Sequence, residues 1–231
     1  MIRYKIENGI LTILDEGITK IDAFAFARNL DIIRINIPES VVEIGKCAFI
    51  DCVNLTSLYL PQQVRIIGKD AFGGCTNLRS VVKYNGAVEI RDGAFYGCTN
   101  LVRVDIPDGI TNIGAMAFHY CKALEYLTLS EGLKTIGFLA FWACANLVHI
   151  VLPEGLIEIS EQAFDCSGLK SIAFPESLKK IQSDALINCL DLELISVPIG
   201  KLKFYKTKLP KNLHSLIKEM DNCDRSQLTY K

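Results

Sequence analysis

The sequence lacks the marks of most site chemistries. It holds no G-x-G-x-x-G, no Walker phosphate loop, no H-E-x-x-H and no C-x-x-C, so no nucleotide cradle, zincin site or dithiol redox pair is indicated. The three histidines, His119, His149 and His214, fall at unrelated points of the chain. No metal, no cofactor and no catalytic residue are therefore expected, and an enzyme is not. Charge of either sign is also scarce in excess: the net charge is −1, which points away from nucleic acid and from anionic membranes. No apolar run approaches the roughly 18 residues that a membrane span needs. Met1 to Gly9 contains no apolar stretch followed by small residues, so no signal peptide is expected.

What the chain has in abundance is one phrase, Ala-Phe-x-x-Cys-x-x-Leu. Phe26, Phe49, Phe72, Phe95, Phe118, Phe141 and Phe164 follow one another at intervals of 23 residues, each preceded by alanine. A fixed period of that length marks a solenoid, in which stacked units bury one continuous core. Hydrophobic content of 50% is enough to fill it. The array is expected over residues 17–198, in about eight coils, between a first segment 1–16 and a last segment 199–231.

Each part of the repeat has a physical reading. Leu124, Leu127 and Leu129 belong to a short strand, and so do Leu147, Ile150 and Leu152. Their last two members alternate, so Leu127 and Leu129 face one side while Tyr126 and Thr128 face the other. Proline ends the strand at Pro38, Pro61, Pro107, Pro153, Pro175 and Pro198, because it cannot donate to a ladder. Aliphatic pairs three apart come next, such as Val41 with Ile44 and Leu133 with Ile136. Ile113, Ala117, Phe118 and Cys121 then fall at i, i+4, i+5 and i+8, which predicts a helical turn or two. The phenylalanines should stack into a spine. Cys52, Cys75, Cys98, Cys121 and Cys144 should form a ladder of reduced core thiols, since side chains that point the same way make poor disulfides. Asn54-Leu55-Thr56 is a glycosylation sequon, but the same Asn-Leu step recurs at Asn77, Asn100 and Asn146, so a structural asparagine is the expectation.

The departures are expected to be structural. Asn8-Gly9 between short apolar runs predicts a hairpin covering the first coil. Cys166 arrives one residue early, which predicts an irregular bend. Lys83-Tyr84-Asn85-Gly86 breaks the strand-proline-glycine pattern and predicts a distortion. After Pro198 the pattern stops. Residues 201–218 carry six lysines and no acid. A short helix opened by Pro210, with Leu209, Leu213, Leu216, Ile217 and Met220 on one face, is expected to close that end, followed by a frayed tail from Cys223.

These motifs together resemble the BspA-like leucine-rich repeat, the 23-residue class also associated with treponemal repeat proteins. The resemblance implies an α/β solenoid: a right-handed curved superhelix with a parallel concave β-sheet, short helical turns and an N-terminal β-hairpin cap. It also implies a non-enzymatic, protein-binding module, often on bacterial surfaces and associated with adhesion. A spacer role within a longer chain is the alternative. Function is expected on the exposed side of the strands. One column there reads Arg34, Ser57, Ser80, Arg103, Tyr126, His149 and Ser171, and its neighbour reads Asn36, Tyr59, Val82, Asp105, Thr128, Val151 and Ala173. Tyr59, Arg103, Asp105, Tyr126 and His149 are the candidate partner-binding residues, because tyrosine and arginine dominate binding surfaces. The lysine-rich segment is a second candidate, for an acidic partner.

Overall fold

The computed structural model describes residues 2–83, 89–106, 108–221 and 224. The 23-residue period becomes a coil with three walls. The first wall is a strand of three to five residues. Arg34–Asn36, Ser57–Leu60, Ser80–Lys83, Arg103–Asp105 and Tyr126–Thr128 pair in parallel, headed by the antiparallel hairpin of Tyr4–Glu7 with Ile10–Ile13. His149–Val151, Ser171–Ala173, Leu194–Pro198 and Ile217–Met220 form a separate parallel sheet. The second wall is eight two-residue strands in parallel, from Lys20–Ile21 to Lys180–Ile181. Strands this short hold because each adds hydrogen bonds to the coils before and after it, and each buries an aliphatic residue such as Ile44, Ile113 or Ile159.

The third wall, which carries Ala-Phe, is made of turns and not of the helical turns the spacing predicts. Seven coils have two left-handed residues, four apart: Phe24 and Arg28, Cys47 and Asp51, Asp70 and Gly74, Gly93 and Gly97, Met116 and Tyr120, Leu139 and Ala143, Gln162 and Cys166. A helix admits none of these. Alternate N–H groups make tight turns, as Ala48 to Gly45 O and Ile50 to Cys47 O. The others reach the next coil: Cys47, Phe49 and Asp51 donate to Lys69, Ala71 and Gly73 at 2.8, 2.8 and 2.7 Å. Left-handed backbone costs about 1–2 kcal/mol per non-glycine residue. The coil-to-coil bonds offset that cost by satisfying buried main-chain groups that a one-turn helix would leave orphaned.

Inside, the phenylalanines form the expected spine. Ring centroids from Phe26 to Phe164 are 5.3–5.6 Å apart, with planes within 12° of parallel. The alanine before each ring is fully buried from Ala48 to Ala163. The cysteine thiols point the same way up the core and are free. Each donates to the carbonyl of the phenylalanine one coil back, as Cys98 to Phe72 O at 3.2 Å and Cys144 to Phe118 O at 3.3 Å. Cys166 does not join this ladder. It is exposed and left-handed. Ser167 takes the inward place, with Oγ 3.4 Å from Cys189 Sγ, so the missing residue is absorbed just after it, where Gly168 N–H bonds Cys144 O. Asn54 is structural, donating to Leu30 O at 2.7 Å.

The C-terminal end differs from the expectation. A helix, Leu202–Lys208, stands where the sequence predicts none, and Pro210 opens only a 3-10 turn, Lys211–Leu216. Ile217–Met220, expected on a helix face, is a strand in register with Leu194–Pro198. Tyr205 anchors the segment: it is buried, stacks on Phe174 at 5.1 Å and donates to Pro175 O at 2.8 Å. Glu219 caps the helix start by accepting from the N–H groups of Gly200 and Leu202. The Lys83 side chain, residues 84–86 and the tail beyond Asp221, save Asp224, lie outside the described residues.

Candidate functional site

Strand pairing sets the two columns in register. Arg34 pairs with Ser57, Ser57 with Ser80, Ser80 with Arg103 and Arg103 with Tyr126. Tyr59 pairs with Val82 and Asp105 with Thr128. Arg103, Asp105 and Tyr126 come together. Arg103 Nε donates to Asp105 Oδ2 at 2.8 Å, and Thr128 Oγ1 donates to Asp105 Oδ1 at 3.2 Å. The carboxylate of Asp105 holds the Arg103 guanidinium above its ordinary pKa, and Glu125 does the same to the Tyr126 phenol. Tyr126 is 53% exposed, which leaves its ring edge and face available for contact. Tyr59, also exposed, stands two strands away from Asp105.

His149 stands apart from that group. Among the described residues no main-chain hydrogen bond joins Tyr126–Thr128 to His149–Val151. Glu125 and Tyr126 donate to Val102 O, and Lys170 and Ser171 to Val148 O, but Val148 and His149 have no such partner in the preceding coil. The seam falls where Ser130 replaces the usual proline, and the inward Leu127 and Leu129 are only partly buried beside it. His149 Nδ1 turns instead to Ser171 Oγ at 2.8 Å. Beyond it the outward positions Ser171, Ala173 and Ser196 are buried, so the open face ends there.

The turn wall carries a surface that the sequence reading missed. The position after each repeat phenylalanine runs Ala27, Ile50, Gly73, Tyr96, His119, Trp142 and Asp165. Tyr96 stacks on His119 at 5.0 Å, and His119 on Trp142 at 4.5 Å. Tyr120 lies parallel to Trp142 at 5.8 Å, with Lys122 Nζ 4.3 Å over its ring. Trp142 Nε1 donates to Asp165 Oδ2 at 3.0 Å, and Asn188 to the other oxygen at 3.0 Å. Burial of the His119 ring pushes its pKa down, and its Nδ1 has no hydrogen-bond partner among the described residues. Reading down this one column would have shown the ladder. The neighbouring Phe and Cys columns account for the fold without it.

Among the described residues no group of three or more His, Cys, Asp or Glu is placed to hold a metal, and no helix is long and apolar enough to cross a membrane.

Similar proteins place the chain in a family. No protein of curated function matches it. A leucine-rich repeat protein of Bacteroides ovatus is 27% identical over 92% of this chain and 54% of its own, with a TM-score of 0.79. A leucine rich cell surface protein of Faecalibacterium prausnitzii is 26% identical over 86% of this chain and 62% of its own, with a TM-score of 0.57. The chain thus spans less than two thirds of either. The leucine-rich repeat protein of T. pallidum is 26% identical, covering 89% of this chain and 92% of its own, with a TM-score of 0.69. The BspA type leucine rich repeat region matches residues 6–104 and 88–216, in six copies. On its period, its coil geometry and this match, the chain belongs to the BspA-type leucine-rich repeat family.

Proposed function

We propose that the protein is a non-enzymatic interaction module that binds a protein partner through its first wall, the concave one in this reading, with Arg103, Asp105 and Tyr126 at the centre of the contact and Tyr59 and His149 at its flanks. The observation that carries this reading is the Arg103–Asp105–Thr128 network beside the exposed Tyr126 ring. It pre-orients a charged pair and an aromatic anchor on rigid strands, which lowers the ordering cost of binding. The pair is solvent-exposed, so it gives orientation and specificity more than affinity. A surface location is supported by the likeness to the leucine rich cell surface protein of Faecalibacterium prausnitzii.

The test is capture by the purified chain beside a variant carrying Tyr59→Ala, Arg103→Ala and Tyr126→Ala. A partner held by the wild type and lost by the variant, with both giving the same circular dichroism, supports the reading. A partner held equally by both moves function off this wall. The spacer reading draws on the chain spanning only 54% of its Bacteroides neighbour. It requires that neither protein captures anything and that changes on this wall are silent.

A further inference from the structure

The aromatic ladder of the turn wall stops abruptly on one side. One face of Tyr96 is covered by His119 at 5.0 Å, and Trp142 continues the stack beyond it. The rung on the other side is Gly73, which has no side chain, and its neighbour in the next column is Gly74. Tyr96 is 46% exposed, and no ring or cation covers its second face among the described residues. The carboxylate of Asp51 lies in the place that a side chain on Gly74 would take. Its Oδ2 is shared loosely with Arg28 Nε at 3.5 Å, while Oδ1 carries no donor among the described residues.

We propose that the open face of Tyr96, with Asp51 beside it, is a second recognition site that seats an arginine side chain of a protein partner. Three observations favour a planar cation. The wall already places cations on ring faces: Lys122 sits over Tyr120 at 4.3 Å and Lys46 over Phe24 at 5.9 Å. The ladder rings lie within 20° of parallel, so a guanidinium would extend the stack as one more flat group and could pair with a carboxylate at its edge. The chain without residues 201–218 is acidic by seven charges, which favours a basic partner. A neutral sugar is less well served. The polar groups at the other end of the ladder, Trp142 Nε1, Asp165 and Asn188, are bonded to one another, which leaves few free groups for hydroxyls.

The test is a two-dimensional NMR titration of the full chain with N-acetyl-arginine methylamide, beside the lysine analogue and methyl glucoside. Saturable shifts confined to Gly73, Gly74, Tyr96 and Gly97, stronger for the arginine probe, are expected. Tyr96→Phe should keep them. Tyr96→Ala should weaken binding at least about fivefold. Gly73→Leu should abolish binding by filling the rung. A Cβ on Gly73 meets only main-chain atoms, at 3.5 Å and beyond, and the equivalent positions carry Ile50, Tyr96 and His119, so the fold should tolerate it. Unchanged shifts elsewhere in the spectrum check this. Saturation by methyl glucoside in place of the arginine probe overturns the proposal in favour of a glycan. So do the absence of any saturable shift at the probe's solubility limit and shifts that survive both Tyr96→Ala and Gly73→Leu.

Discussion

Phe118→Ala tests what holds the coils together. Phe118 is fully buried, and rings stand 5.4 Å away on both sides, Phe95 and Phe141. Truncating a buried phenylalanine costs about 3–5 kcal/mol through lost transfer energy and the cavity left behind. Two stacked neighbours, each adding about 0.5–1.5 kcal/mol beyond area burial, place this site at the upper end of that range. The main chain around it is tied coil to coil, with Phe118 N–H on Ala140 O and Phe95 N–H on Ala117 O, so the void cannot collapse easily. The control is Phe24→Ala, the same chemical change at a ring that is 56% exposed, with an expected cost below about 0.5 kcal/mol. Urea unfolding followed by circular dichroism reads both. A cost near 1 kcal/mol or less for Phe118→Ala, or equal costs for the two, would refute the spine as the main cohesive element and shift that role to the main-chain ladders.

Three further outcomes follow from single residues. Met116 is left-handed at φ 56°, in a column whose equivalent one coil earlier is Gly93; Met116→Gly should stabilise the protein by about 1 kcal/mol, and a loss in thermal or urea unfolding would show that side-chain contacts outweigh the strain. Burial pushes the thiols of Cys52 and Cys189 up to about 11 and holds those of Cys75, Cys98 and Cys121 well above the ordinary thiol range, so iodoacetamide at pH 8 should mark Cys166 in the native protein and leave the ladder untouched until denaturant is added; native labelling of Cys98 as fast as Cys166, read by peptide mass, would contradict this. Burial lowers the His119 pKa below its ordinary 6.5, so the unfolded chain takes up the proton first and stability should fall as pH drops through 6.5 toward the folded value; His119→Gln should remove that part of the acid-side loss, and an unchanged pH profile would count against it.

The periodic part of this molecule is legible because one requirement repeats. Phe, Ala and Cys face the core at the same point of each coil from Ala48 to Cys144, so Phe72 and Phe141 are understood from the same reasoning and the columns of the first wall follow by counting. Backbone conformation is less legible. The spacing of Ile113, Ala117, Phe118 and Cys121 is equally that of a helix and of linked turns, and the choice is made by bonds to the next coil, which no local window contains. The C-terminal strand Ile217–Met220 was hidden for the same reason: its partner, Leu194–Pro198, is set by stacking and not by sequence neighbours. Tyr59, Arg103, Asp105, Tyr126 and His149 were chosen by composition on one wall. That choice could not foresee the seam that separates His149 from the rest, nor the ring ladder on the opposite side of the Phe column.

The seam has a mechanical consequence. Among the described residues, the stack at the boundary between Tyr126 and His149 is tied on two sides, by Thr135–Ile136 to Glu158–Ile159 and by the turn wall, from Phe118 to Ala140, Phe141 to Ala163 and, at its edge, Asn146 to Lys122. A load along the axis meets three parallel tethers at most other levels and two here. The coils on either side can therefore tilt by opening the untied wall while the tied ones act as a flexure, and under tension this level yields first. A rod with one such joint transmits pull unevenly: strain concentrates between the two halves, and the ends keep their shape.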